Sequence, residues 1–132
     1  MDIETPIVGT ILVVDDEDGI RELTMDILEM DDHSVLLAAC GEDALSIIEG
    51  DGVSFDVLLT DLTMPGISGQ ELARRVREAR GDTRVIYMSG LLQEGSTEAG
   101  EMGAHDWILE KPFSPDDLCQ LIQVVLATPL SV

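Results

Sequence analysis

Residues able to do chemistry stand where several short apolar runs stop. Ile11-Leu12-Val13-Val14 runs into Asp15 and Asp16, Phe55 to Thr60 into Asp61, Arg84 to Met88 into Ser89, and Trp107-Ile108-Leu109 into Glu110-Lys111-Pro112. Carboxylates that converge without a cation repel one another and raise one another's pKa. A hard, oxygen-ligated cation removes that repulsion, and Mg2+ is usually held by one or two carboxylates with phosphate oxygens and waters. Acids, a hydroxyl and an ammonium around such an ion suit the handling of a phosphoryl group. The metal and the ammonium neutralise its equatorial oxygens while a carboxylate attacks in line. Lys111 is the chain's only lysine; its arginines are Arg21 and a cluster between Arg74 and Arg84. A sole lysine at a strand end, before a proline, is a poor fit to generic surface charge.

These groups meet only if the runs are parallel strands of one sheet, and the rest of the sequence predicts that. Continuous β-branched runs suit strands buried on both faces. The strands are expected at Ile11–Val14, Ser34–Ala39, Phe55–Thr60, Arg84–Met88 and Trp107–Leu109. Between them lie helical patterns: Ile20, Leu23, Ile27 and Leu28 on a first stripe, Ala44, Ile47 and Ile48 on a second, Leu72, Val76 and Ala79 on a third. Ser68 and Glu71 fit a capping box at the start of the third helix. The segment 93–103, broken by Gly95, Gly100 and Gly103, predicts a marginal, mobile fourth helix. Ser114, Pro115, Asp116 and Asp117 open a last helix with the stripe Leu118, Leu121, Ile122, Val125 and Leu126. Alternation of this kind gives an α/β fold: a doubly wound (βα)5 parallel five-stranded sheet with helices on both faces, flavodoxin-like. Its ligands bind beyond the carboxyl ends of the strands, at the topological switch point.

The 132 residues fit one domain, placed at 10–127 with tails at 1–9 and 128–132. Seven Lys and Arg against 27 Asp and Glu give a net charge of −20, which opposes direct binding to nucleic acid or to an anionic membrane. Cys40 and Cys119 have neither metal nor disulfide-scaffold spacing and suit a reducing cytosol, so a cytoplasmic location is expected. No apolar run approaches the length of a bilayer span, and secretory and membrane readings are set aside.

The segments ILVVDDED (11–18), FDVLLTDLTMPGISG (55–69), VIYMSG (85–90) and EKPFSP (110–115) resemble, in order and register, a response-regulator receiver domain of bacterial two-component signalling. The chain is similar to the single-domain chemotaxis regulator and to receivers fused to hybrid histidine kinases, over essentially residues 10–127. The resemblance implies that Asp61 is the phosphoacceptor, taking a phosphoryl group from a histidine kinase or a histidine phosphotransfer protein. It implies Mg2+ held by Asp15, Asp16, Asp61 and the backbone carbonyl of Thr63. It implies Lys111 paired with the phosphoryl oxygens, Ser89 as the switch hydroxyl, and a cis Lys111–Pro112 peptide. Such a domain catalyses its own phosphorylation and dephosphorylation, and signals to a downstream protein target as a monomer or weak homodimer. If the chain is whole, its effect is exerted by binding another protein or by relaying phosphate onward; if it is part of a longer one, a hybrid kinase is the expected parent.

Two departures stand out. The aromatic that relatives often carry three residues before the lysine is Ile108 here, with Trp107 one place earlier, and Gly103-Ala104 stands one residue further from the lysine. The positions tied to phosphoryl lifetime are Thr63 and Leu91; an apolar Leu91 beside the site is expected to hinder an attacking water.

Other residues read as structural. His33 and His105 are expected at the surface, Cys40 and Cys119 as small core hydrophobes, Trp107 as packing, and the arginines of the third helix as a solvated face. Two other functions compete. A haloacid-dehalogenase-type phosphohydrolase also uses an aspartyl phosphate but wants a D-x-D pair on the first strand; Asp15 and Asp16 are adjacent, and Asp61-Leu62-Thr63 lacks the second acid. A phosphorylation-independent docking module is disfavoured by the intact acids and Lys111.

Overall fold

The computed structural model describes residues 6–50, 53–81, 83–90 and 106–129. Strands β1 (Thr10–Val14), β2 (Ser34–Ala38), β3 (Val57–Asp61), β4 (Arg84–Ser89) and β5 (Asp106–Glu110) form one sheet in the order β2-β1-β3-β4-β5. Every neighbouring pair is parallel. The described helices are α1 (Asp18–Met30), α2 (Gly41–Glu49), α3 (Gly69–Arg80) and α4 (Pro115–Ala127). The expectations for Leu91, the helix within 93–103, Gly103-Ala104 and His105 fall outside the described residues.

The apolar runs of β1 to β4 are continuous because each of these strands feeds two cores, whereas β5 packs into one. Ile11, Val13, Val57, Leu59, Ile86 and Met88 pack with Ile27 and Leu28 of α1 and Leu118, Ile122 and Val125 of α4. Leu12, Val14, Leu58, Val85 and Tyr87 pack with Ala44 and Ile48 of α2 and Leu72, Ala73 and Val76 of α3. Alternation along a strand sends successive side chains to opposite faces. Leu12 and Leu59 have no exposed surface; burying each contributes about 2 kcal/mol. The doubly wound architecture expected from the sequence is therefore the one observed.

Strands β3, β4 and β5 run one residue past their expected ends, so Asp61, Ser89 and Glu110 are last strand residues rather than the first beyond, whereas β2 stops at Ala38, one residue short of the expected Ala39. Two helical stripes are rotated from expectation. On α1, Leu23 is half exposed and Thr24 takes the inward place, its hydroxyl satisfied by donating to the Ile20 carbonyl at 2.7 Å. On α3, Ala73 is buried and Ala79 is exposed. The inner face there continues to Arg80, which donates to the Ile48 and Val53 carbonyls and stacks over Phe55 at 4.9 Å.

The expected box at Ser68 forms only by half. Ser68 Oγ accepts from Glu71 N, but the Glu71 carboxylate turns to Arg74 and Arg75. The reciprocal box forms instead between Ser114 and Asp117 on α4. Three further expectations, for His33, Cys40 and the third-helix arginines, are corrected by the tertiary structure. His33 is buried, 4% exposed, because the chain before β1 crosses it and Gly9 N donates to its Nδ1. Cys40 is half-buried outside either core, whereas Cys119, also half-buried, packs against the α1–α4 core as expected. Only Arg74 and Arg75 form a solvated face, since Arg77 binds the Thr83 carbonyl and Asp106 as Arg80 binds its carbonyls. At the edges of the module, Ile7 exchanges hydrogen bonds with the Gln123 side chain, and Arg84 donates to the Thr128 carbonyl.

Candidate functional site

In the order β2-β1-β3-β4-β5, the chain leaves β1 toward one edge of the sheet and β3 toward the other. The crevice between those two carboxyl ends is the switch point at which open α/β sheets bind ligands. Asp15 directly follows β1, and Asp61 ends β3. Ser89 ends β4, and Lys111 directly follows β5. The parallel register brings all four to one edge, as the sequence pattern requires.

Oxygens of Asp15, Asp16 and Asp61 lie within 4.8 Å of one another. Their burial differs: Asp15 is fully buried, Asp61 is 8% exposed, and Asp16 faces solvent. Asp15 is fixed from three sides. Its Oδ1 accepts from Glu17 N at 2.9 Å, its Oδ2 from Lys111 Nζ at 2.9 Å, and its carbonyl from Arg21 at 2.7 Å. Lys111 Nζ also reaches Asp61 Oδ2 at 3.4 Å. The lysine is itself held by β-type pairing, its N–H donating to the Ser89 carbonyl at 2.8 Å. The Lys111–Pro112 peptide is cis, as expected.

The electrostatics follow from this crowding. Burial pushes the Asp61 carboxyl above its ordinary 3.8; Lys111 pulls it back, and Asp15 and Asp16 add to the push. Burial works against the Lys111 charge, but the hydrogen bond to Asp15 and the charges of Asp15, Asp61 and Glu17 outweigh it. The ammonium is held above its ordinary 10.5. An all-oxygen donor set with an excess of negative charge suits a hard divalent cation. The Lys111 ammonium stands beside oxygens of both Asp15 and Asp61, so the site sets a cation and anionic oxygens together where a negatively charged group could be held.

Three residues that the sequence reading passed over shape the site. Glu17, read only as part of an acidic run, places Oε1 3.7 Å from Lys111 Nζ. Arg21 ties the Asp15 carbonyl to Asp18 Oδ1, bracing the turn after β1. Gly69 starts α3 against the backbone of β3: a Cβ there would lie 2.3 Å from the Asp61 carbonyl oxygen. Only the glycine's place beside Ser68 in the sequence hinted at this contact. Trp107 packs with the α1–α4 core as expected, whereas Ile108 stands opposite Tyr87 in the register.

Comparison with known proteins agrees with the geometry. A model of the response regulator receiver domain family matches residues 11–123. Response regulator SaeR of Staphylococcus epidermidis is 33% identical over 109 residues, which is 82% of this chain and 46% of SaeR. Sensor kinase CckA of Brucella abortus is 32% identical over 118 residues, 89% of this chain and 12% of CckA. The chain thus spans less than half the length of these curated relatives. The solved structure of chemotaxis response regulator CheY4 of Vibrio cholerae superposes with a TM-score of 0.77 at 30% identity, covering 90% of this chain and 99% of that one. Matched along nearly its whole described sheet and helices, the chain belongs to the response regulator receiver domain family, the receiver module of two-component response regulators.

Proposed function

We propose that this domain is a phosphorylation-driven switch whose acceptor is Asp61. The observation that carries the reading is the convergence of Asp15, Asp16 and Asp61 oxygens within 4.8 Å, with the sole lysine's ammonium 3.4 Å from Asp61. The donor is a phosphohistidine on a histidine kinase or histidine phosphotransfer protein. An Asp61 carboxylate oxygen attacks phosphorus in line, the P–N bond breaks, and imidazole leaves as the neutral base with a proton on its other nitrogen. Mg2+, held by Asp15, Asp16, Asp61 and the Thr63 backbone carbonyl, would neutralise phosphoryl oxygens and relieve the repulsion among the acids.

The chain's own residues do the rest. Lys111 exchanges part of its contact with Asp15 for a phosphoryl oxygen, keeping its charge where negative charge develops. Ser89, buried at the end of β4, donates its hydroxyl to another phosphoryl oxygen and couples the site to that strand. Asp61, with its side chain 12% exposed, admits little water, and the same residues serve the slower hydrolysis of the acyl phosphate. A downstream protein reads the surface around β4 in the resulting state, in the manner of phosphorylation switches. We place the module at 10–127, with tails at 1–9 and 128–132, acting in the bacterial cytoplasm as a monomer or weak homodimer.

Intact mass after incubation with acetyl phosphate tests the reading. One phosphoryl group should be gained only with Mg2+ and only when Asp61 is present, so Asp61→Asn stays unmodified. Gain in Asp61→Asn would assign the acceptor elsewhere. Mg2+ failing to bind the wild type would leave a docking module as the better account.

A further inference from the structure

Glu17 is the N-cap residue of α1, yet its side chain makes no capping hydrogen bond. Its backbone N–H is taken by Asp15 Oδ1, and its carbonyl accepts from Arg21 N. The carboxylate, 65% exposed, instead leans over the site with Oε1 3.7 Å from Lys111 Nζ. That is a third negative group on one ammonium, beside Asp15 at 2.9 Å and Asp61 at 3.4 Å. Through Lys111 the Glu17 carboxylate is kept within about 7 Å of the Asp61 oxygen, inside the roughly 10 Å over which salt leaves charges coupled.

We propose that Glu17 is a specificity-determining residue for the phosphodonor: it disfavours small, multiply charged phosphates and leaves phosphorylation to a protein donor. The inference rests on the phosphoacceptor reading of Asp61. An approaching acetyl phosphate dianion meets the Glu17 charge before it reaches Lys111, and Glu17 competes with the phosphoryl oxygens for that ammonium. A docked protein donor is held by its own interface, and that binding energy overrides the repulsion. The step is unchanged: Asp61 oxygen bonds to phosphorus, the bond from phosphorus to the acetate oxygen breaks, and acetate departs.

The test measures phosphorylation rates of wild type, Glu17→Gln and Glu17→Asp by time-resolved intact mass, at saturating Mg2+. The donors are acetyl phosphate and phosphoramidate, which carries less negative charge at neutral pH. Glu17→Gln should react with acetyl phosphate roughly threefold to tenfold faster than wild type at low ionic strength, a range set by one charge about 7 Å away in a partly exposed site. The gain should shrink with phosphoramidate and at about 1 M salt, where screening reaches about 3 Å, and Glu17→Asp should stay close to wild type. A structural effect on α1 would not depend on salt or donor charge. Equal rates for Glu17→Gln and wild type, including no reaction of either, would overturn the inference, as would a gain identical for both donors at all salt concentrations. Asp61→Asn run alongside separates the two readings: modification that persists in it overturns the acceptor assignment and not the role of Glu17 alone.

Discussion

Replacing Gly69 by alanine sets two effects of opposite sign against each other. Gly69 is the first residue of α3, after the Ser68 cap, and its N–H donates to the Leu62 carbonyl at 3.0 Å. On helix propensity alone, alanine would stabilise by about 0.5–1 kcal/mol. The added Cβ, however, would lie 2.3 Å from the Asp61 carbonyl oxygen, 3.1 Å from Leu62 Cα and 3.2 Å from the Asp61 carbonyl carbon. All three are backbone atoms, so no side-chain rotation relieves the overlap. Reaching ordinary contact requires α3 and the end of β3 to separate by on the order of 1 Å, and overpacking of this kind costs about 1–3 kcal/mol or more. The clash wins. Gly69→Ala should lose about 2 kcal/mol in urea unfolding, equivalent to a Tm lower by roughly 5–10 °C. Because the displaced backbone carries Asp61, Mg2+ affinity should fall in the same variant. The matched control is Gly19→Ala, in the first turn of α1, where a Cβ meets nothing within 4 Å; it should gain up to about 1 kcal/mol. Equal or greater stability for Gly69→Ala would refute the reasoning, because close backbone approach would then not be what glycine provides there.

Lys111→Met removes the ammonium from Asp15, whose side chain is fully buried. In metal-free buffer at pH 7 it should cost about 3 kcal/mol by urea unfolding, with millimolar Mg2+ restoring part of the loss; no change would show that water reaches Asp15. Arg80→Ala strips the Ile48 and Val53 carbonyls of their donor and Phe55 of its cation. A loss of about 2 kcal/mol and faster amide exchange around residues 53–55 are expected, and exchange unchanged from wild type would place the anchoring of that loop elsewhere. His33 is held below its ordinary 6.5 by burial, against the pull of Asp31 and Asp32, while its Nδ1 accepts from Gly9 N. A depressed histidine contributes stability that is complete above pH 6.5 and lost as pH falls through the folded value. Wild-type urea midpoints should therefore drop from pH 7 to 5 relative to His33→Gln; parallel curves would remove His33 from the account.

Local signals in the chain reached far. The β-branched runs named the strands because a strand buried on both faces needs apolar residues at every position, whatever its neighbours are. The acids, Ser89 and Lys111 at the ends of those runs named the site, because a parallel sheet delivers all carboxyl ends to one edge. What periodicity left open was rotation. Leu23 and Thr24 lie one position apart on α1, and the choice between them is made by the sheet it packs on and by the Ile20 carbonyl that satisfies the threonine.

The sequence by itself thus determined the order of strands and helices, the two-sided core, and which residue types meet at the switch point. Only the tertiary structure decided how the charges are shared. Asp15 and Asp16 are equivalent on paper, yet one is sealed against Lys111 and the other faces water. Glu17 became a member of the site, Gly69 a contact surface for β3, and His33 and Arg80 buried anchors. Each of these depends on distances between positions 8 to 96 residues apart or on burial made by several elements at once. Hydropathy and spacing along one segment carry no information about such distances, because charge coupling and steric overlap are set by positions in space.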